Sequence, residues 1–568
     1  MSVPHVRTIR FILSALLCIA SAIPRTGHAQ TAQVQWNDVD RTIVFADVHG
    51  AGTELRELLR ETGVVDAEDR WVAGTAHLVS LGDLLDRGPD ARGVMDLLMR
   101  LQGEARTAGG QLHVLLGNHE AMNLMGDLRY VDAREYAAYT DLEPAAEREA
   151  ARKAWEKGPC TTLCPGFDEK FPPGFFGRRA AFAPGGRYGQ WLLAQPVAIR
   201  INDTLLMHAG PAGILRGMSL QELNLRYRTA LIDGLQHPGA EAEFPLLSEA
   251  GPNWYRGAAL CNEVAEADVL LPLLQQFGAA RLVIGHTPTR NSRVVSRFDG
   301  KVIKLDTGMN RAAYRGRPSA LVIERSGISV RYTGQREPAQ VEPEGLFVAP
   351  DNLADADVMT VLRDGSVGVL EKHGTGEFKV TAVLNGRQVP AVFQSRSASA
   401  IRKELAALQL DRLLGLGIVP ATVEREVQGM RGLLQARPQK WMTQVEVQQQ
   451  GVRGSGWCSV EPQFQLMYAL DALLGNELRT AESMVWDTED WHFYATAFTQ
   501  AFGTDRGLPA WLRARPPTPG AELRRRLGTL DDRKLSTALG AYLEANARRA
   551  ILTRRDALLA LTLPATLP

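Results

Sequence analysis

Short apolar runs rich in β-branched residues recur along the first half of the chain, and each runs into polar side chains. They are Thr42 to Ala46 before Asp47, Leu78 to Leu81 before Asp83, Leu112 to Leu116 before Asn118, Leu205 to Met207 before His208, and Arg281 to Ile284 before His286. Continuous apolar runs without alternation are how strands buried on both faces read. Between them lie helical patterns; in Arg92 to Arg106, Val94, Leu97, Leu98 and Leu101 share one face. Strands alternating with helices predict a layered α/β fold with its site at the strand ends.

The polar stretch from Gly334 to Gly345, rich in Gln, Glu and Pro, reads as a linker. Beyond it come strand-like runs and then helical patterns at Ala398 to Leu416, Phe464 to Leu474 and Leu530 to Leu563, which predict a second, α+β domain. The expected organisation is a first domain over residues 36–335 and a second over 346–566. An insertion from Asp127 to Arg200 is charged and helical over Asp132 to Lys157, then broken by Pro and Gly and rich in aromatics such as Trp155, Phe167, Phe171 and Phe175. It reads either as a packed insert with its own small core or as a lid over a groove.

Composition narrows the class. At 568 residues, 45% hydrophobic and 23% charged, the chain is long enough for two or three globular domains. Lys+Arg and Asp+Glu both number 64, so no global field draws it to nucleic acid or anionic lipid. Arg7 and Arg10, the apolar run Phe11 to Ile23, and Gly27-His28-Ala29 read as an export signal over residues 1–29, implying a periplasmic location with no stable membrane span after cleavage. Cys160, Cys164, Cys261 and Cys458 then remain, and in an oxidising compartment four cysteines allow three pairings.

The strand-end blocks carry the chemistry: Asp47-Val48-His49-Gly50, Gly82-Asp83-Leu84-Leu85-Asp86-Arg87-Gly88, Gly117-Asn118-His119-Glu120, His208-Ala209-Gly210 and Gly285-His286-Thr287. Asp, His and Asn are oxygen and nitrogen donors suited to manganese, iron or zinc. Two divalent ions about 3.5–4 Å apart need a bridging carboxylate, and the central Asp83 is placed to be one. One such block alone is more often a turn or a cap; five in this order, each after an apolar run, are not coincidence.

These blocks resemble the calcineurin-like metallophosphoesterases. The stretch Leu116 to Val131, LGNHEAMNLMGDLRYV, is similar to the Shewanella-like branch of the phosphoprotein phosphatases, and the likeness covers roughly residues 40–325. The resemblance implies a layered β-sandwich flanked by helices, with one metal on Asp47, His49 and Asp83 and a second on Asp83, Asn118, His208 and His286. Manganese is the first expectation for both ions, iron or zinc the alternatives. It further implies His119 as general acid to the leaving oxygen, Asp86 behind it, and Arg87 and Arg256 on the phosphate, with Arg129 a weaker candidate. Members of the branch include tyrosine-directed enzymes, so the expected substrate is a phosphorylated protein or peptide; the alternative is a nucleotide or dinucleotide polyphosphate. His77 and His113, inside strands, read as packing residues.

The second half resembles, more faintly, the HipA-like and secretory-kinase branch of atypical kinases, through Gly365 to Lys372, Val392-Phe393-Gln394, Glu404 to Pro420 and Asp471 to Arg479. Where such kinases carry a phosphate-contacting lysine stands Gln394; the catalytic-loop aspartate position holds Leu478, and the metal-binding positions fall on Ser483 and Ala497. Phosphoryl transfer depends on those groups. The half is therefore expected to be either a degenerate kinase-like module for a ligand or protein partner, or an unrelated α+β domain that recruits substrate.

Overall fold

A computed structural model describes residues 33–158, 166–236, 244–345, 353–374, 376–454 and 457–561. The expected signal segment 1–29 and Cys160 and Cys164 lie outside them. Among the described residues, twelve strands lie within residues 35–343: β1 (Gln35–Trp36), β2 (Arg41–Phe45), β3 (His77–Ser80), β4 (Gln111–Val114), β5 (Ala198–Ile201), β6 (Thr204–Met207), β7 (Arg281–Ile284), β8 (Val295–Arg297), β9 (Val302–Lys304), β10 (Ser319–Glu324), β11 (Gly327–Tyr332) and β12 (Glu342–Pro343). They form two sheets, ordered β1-β5-β6-β7-β9-β8-β12 and β11-β10-β2-β3-β4.

Three adjacent strands of each sheet, β2-β3-β4 and β6-β7-β9, run parallel. Their residues are buried on both faces, which is why they read as unbroken apolar runs. Both sheets share one apolar core with the helix Ala91–Thr107, whose Val94, Leu97, Leu98 and Leu101 face inward as their spacing predicts. All the parallel strands of a sheet end on the same side, so the loops after β2, β3, β4, β6 and β7 converge there.

The polar stretch after β11 is not a free tether. Ala339 bridges to Val330, β12 pairs in parallel with β8, and Glu344 reaches Lys304 Nζ at 2.8 Å. In the insertion the helical pattern splits into a 3-10 run, Ala133–Leu142, and a helix, Ala145–Glu156, because Pro144 between them has no N–H to continue the first. Phe167, Phe171, Phe175 and Phe176 stack on one another with Trp155 as a small core.

The C-terminal half holds one sheet over residues 366–436, a three-stranded sheet over 441–495, and helices that include Ala398–Leu414 and Val460–Leu474. The long C-terminal helical pattern breaks into Asp532–Leu539 and Ala545–Ala560. Among the described residues no helix is long and apolar enough to cross a membrane.

Candidate metal and phosphate site

Five of the expected site residues sit in the left-handed region, at φ 48 for His49, 52 for Asp83, 69 for Asp86, 64 for Arg87 and 63 for His286. For side chains other than glycine this costs roughly 1–3 kcal/mol each and persists only where the surroundings impose it. The surroundings here are tight. A Cβ on Gly82 would lie 2.4 Å from the Gly117 nitrogen, and one on Gly117 would lie 2.2 Å from Asp83 Oδ1. The loops after β3 and β4 therefore touch backbone to backbone, and only glycine lets them. Glu120 clamps the pair, accepting N–H groups from Gly117 at 2.7 Å and from Asp83 and Leu84 at 2.8 Å each.

Asp83 lies at the centre of two groups, with His49 and His119 on one side and His208 and His286 on the other. Asp83 Oδ2 is 3.7 Å from His49 Nε2 and 3.3 Å from His208 Nε2. Asp47 lies 3.9 Å from His49 Nε2 and accepts the His286 N–H at 3.0 Å. Asn118 Oδ1 is 3.0 Å from His208 Nε2.

The tautomers follow from the backbone. His49 Nδ1 faces the Leu85 carbonyl at 2.9 Å and His208 Nδ1 the Leu81 carbonyl at 3.0 Å. A carbonyl only accepts, so both rings carry a proton on Nδ1, and in its neutral form each presents an Nε2 lone pair inward. That lone pair of His208 meets Asn118 Oδ1, Asp83 Oδ2 and His286 Nδ1, at 3.1 Å for the last. His286 Nε2 is buried with no partner among the described residues. Acceptors crowded against acceptors suit a cation between them, and the O/N donor set fits a divalent ion of the manganese, iron or zinc kind.

Electrostatics shows the same crowding. Burial, with Asp306 and Asp83 nearby, pushes Asp47 well above the usual carboxylate range. Burial would also raise Asp83, but the imidazoles of His208, His119 and His49 hold it well below. Burial lowers His49 to about 4 and His286 well below its ordinary value, so both are neutral near pH 7.

Beside this cluster, His119 Nδ1 meets Asp86 Oδ2 at 2.5 Å, and its Nε2 lies 3.9 Å from Asp83. Burial disfavours the imidazolium, yet Asp83 and Asp86 together leave the His119 pKa raised. A chain of buried contacts continues behind it: Asn123 Nδ2 donates to both Asp86 oxygens at 3.0 Å, and Arg178 donates to Asn123 Oδ1 at 2.6 Å and to Glu135 at 2.8 Å. Arg178 and Glu135 belong to the insertion, which thus reaches the dyad.

Arg87 is exposed at the rim, its guanidinium 5.1 Å from the Tyr130 ring and 5.3 Å from Tyr314. Arg256 is half-buried and donates to the His286 carbonyl at 3.1 Å and to Thr287 Oγ1 at 2.8 Å. Arg129 turns instead to Asp127. His113 and His77 pair at 3.1 Å under Trp36, away from the cluster.

Sequence reading missed Asp306, Glu120, Tyr314 and the Asn123–Arg178–Glu135 chain. Asp306 had a signal: it follows β9 and precedes Gly308, repeating the strand-end pattern of the other blocks, and burial raises its pKa to about 6. The others are visible only by proximity in space.

Comparison with known proteins agrees with this geometry. The pattern of the calcineurin-like phosphoesterases matches residues 41–290. An uncharacterised protein of Schizosaccharomyces pombe is 32% identical over 50% of this chain and 78% of its own length. Shewanella-like protein phosphatase 2 of Arabidopsis thaliana is 28% identical over 56% and 84%. A solved cold-active protein-tyrosine phosphatase of a Shewanella species is 29% identical, covering 55% of this chain and 85% of that one with a TM-score of 0.42. The fold, the five strand-end blocks and the family match together place this chain among the calcineurin-like phosphoesterases, metal-dependent hydrolases of phosphoric esters.

Proposed function

We propose that the protein is an exported phosphoprotein phosphatase with a preference for phosphotyrosine. The observation that carries the reading is the buried meeting of His208 Nε2 with Asn118 Oδ1 and Asp83 Oδ2, next to the His119–Asp86 pair. Asp47, His49 and Asp83 would hold one divalent ion, and Asp83, Asn118, His208 and His286 the other, with manganese the first candidate. Bound there, the ions supply Lewis acidity and lower the pKa of water for attack on phosphorus.

The chain's own side chains do the rest. Arg87 offers a planar fork to two phosphate oxygens, and Arg256 approaches from beside the His286 loop. His119 holds a proton on Nε2 for the leaving oxygen, while Asp86 fixes its Nδ1 and balances its charge. Tyr130 and Tyr314 flank Arg87, so an aryl phosphate finds aromatic walls on both sides. The name of the Arabidopsis relative supports a protein substrate. The Cys261–Cys458 disulfide supports an oxidising compartment, in keeping with the export reading.

In the C-terminal half the kinase-like positions support a module without phosphoryl transfer. Gln394 donates to Glu377 at 3.0 Å, Leu478 is 56% exposed, and the Ser483 hydroxyl is engaged by Arg479 and Thr480.

The test is hydrolysis, by the chain from Gln30 onward with Mn²⁺, of matched phosphotyrosine, phosphoserine and phosphothreonine peptides beside diadenosine tetraphosphate. A preference for the phosphotyrosine peptide is expected. A preference for the dinucleotide overturns the substrate class, and metal-independent hydrolysis overturns the site.

A further inference from the structure

The C-terminal half is clamped onto the phosphatase domain directly beside Arg256. Five residues after that arginine, Cys261 forms a disulfide with Cys458. Asn262, which caps the helix Glu263–Gln276 through its Oδ1, donates its Nδ2 to the Leu416 carbonyl at 2.7 Å. Arg290 pairs with Asp490, and Asp268 accepts the Glu522 N–H at 2.9 Å. Cys261 and Val264 belong to the apolar core of the C-terminal helices. An interface with a shared core, a disulfide and buried polar contacts holds a fixed geometry.

Within this interface lies a cavity of about 380 Å³. Its near side is Arg256 and Thr287, the residue after the candidate ligand His286; its far side includes Leu416, Trp457 and His492. The Arg256 guanidinium sits 5.7 Å from the Trp457 ring, so the arginine that donates to the His286 carbonyl also lines the cavity.

The chemistry of the walls selects the occupant. The basic groups of the wall are already matched by carboxylates: Arg290 by Asp490, Arg297 by Glu344 at 3.0 Å and Glu263 at 3.6 Å, and Lys304 by Glu344 at 2.8 Å. A ligand carrying several further phosphates would enter without cations to meet them. His492 Nε2 faces the Gly417 carbonyl at 3.1 Å, so the neutral ring carries its proton there. Its Nδ1 is then a lone pair, buried and without a partner among the described residues. An unpaired acceptor suits a peptide N–H and repels a phosphate oxygen.

Resting on the phosphoprotein reading above, we infer that this interdomain cavity is the subsite for the polypeptide segment flanking the phosphorylated residue, with the C-terminal domain supplying its far wall through Trp457 and His492. The C-terminal half thereby becomes part of the substrate site. The phosphoryl group is held at the metal cluster and Arg256; the chain beside it runs past Arg256 along Trp457 toward His492.

The experiment compares kcat/KM for a phosphotyrosine nonapeptide with that for free phosphotyrosine in the wild-type chain, Trp457→Ala and Ala354→Trp, the last filling the cavity from an exposed position. In the wild type the peptide is expected to be favoured by at least about 10-fold, mostly through KM. Both variants should lose most of that ratio. An unchanged ratio in both variants overturns the inference while leaving the phosphatase reading intact. A wild-type enzyme that cleaves diadenosine tetraphosphate and neither phosphotyrosine substrate overturns the phosphatase reading instead. Should Trp457→Ala fail to fold, Ala354→Trp decides alone, because its site is at the surface.

Discussion

Two buried polar clusters in this chain are built from similar residues and do opposite things. In the C-terminal half, Asp471 is fully buried, but its oxygens accept from Arg479 Nη2 at 2.6 Å and Nε at 2.8 Å and from Asn476 at 2.8 Å. The remaining Arg479 nitrogen is taken up by Ser483 and the Thr496 carbonyl. Charge balances there, one acceptor, Asn476 Oδ1, is left without a partner among the described residues, and the cluster braces the loop after the helix Val460–Leu474. Around Asp83, carboxylates, an amide oxygen and imidazole lone pairs face one another with too few donors. Burial is equal in the two places, so burial alone does not mark a functional site. The mark is an imbalance of donors and acceptors that nothing in the protein corrects.

Several substitutions test that contrast. Asp83→Asn should lower metal-dependent kcat/KM by about 10³-fold or more and reduce bound manganese, measured by peptide hydrolysis and elemental analysis. Retained activity with full metal content would mean Asp83 is not the shared ligand. His119→Asn should reduce kcat by about 10²-fold while metal content stays near that of the wild type. Loss of both metals in that variant would move His119 from proton donor to ligand.

Asp471→Asn should do the reverse. It leaves Arg479 buried with a weakened partner and should cost about 3 kcal/mol in denaturant unfolding, with kcat/KM within about twofold of the wild type. A large fall in hydrolysis would erase the distinction between the clusters.

The smallest effect concerns Glu404, whose pKa burial raises to about 7 and which accepts the Phe498 N–H at 2.6 Å. A carboxyl raised in the folded state binds more protons there than in the unfolded chain. Its contribution is therefore present below about pH 4.5 and lost as pH rises through about 7. Glu404→Gln should abolish roughly 2 kcal/mol of that pH dependence between pH 5 and pH 8, read by unfolding at each pH. An unchanged profile would place the titration elsewhere.

Some of this was legible in the chain and some was not. Strands β2, β3, β4, β6 and β7 fall within one residue or two of the apolar runs, because parallel strands buried on both faces leave an unbroken apolar signature. The Ala91–Thr107 helix is legible for the equivalent reason, one apolar stripe at helical spacing. The long C-terminal pattern was misleading, since periodicity continues across Gly540 while the helix does not. The stretch after β11 was opaque because its polar composition hides a two-residue parallel pairing with β8.

By itself, the sequence determined which candidate residues stand at strand ends: Asp47, His49, Asp83 and Asn118 follow strands of one sheet, and His208 and His286 follow strands of the other. Tertiary structure alone decided three further things. It set which imidazole nitrogen faces inward, because that depends on carbonyls such as Leu81 and Leu85 arriving from another loop. It brought Arg178 and Glu135 from the insertion to stand behind Asp86. It also joined Cys261 to Cys458, setting Trp457 against Arg256. Each of these is a contact between segments distant along the chain, where local pattern carries no information and only packing brings the partners within reach.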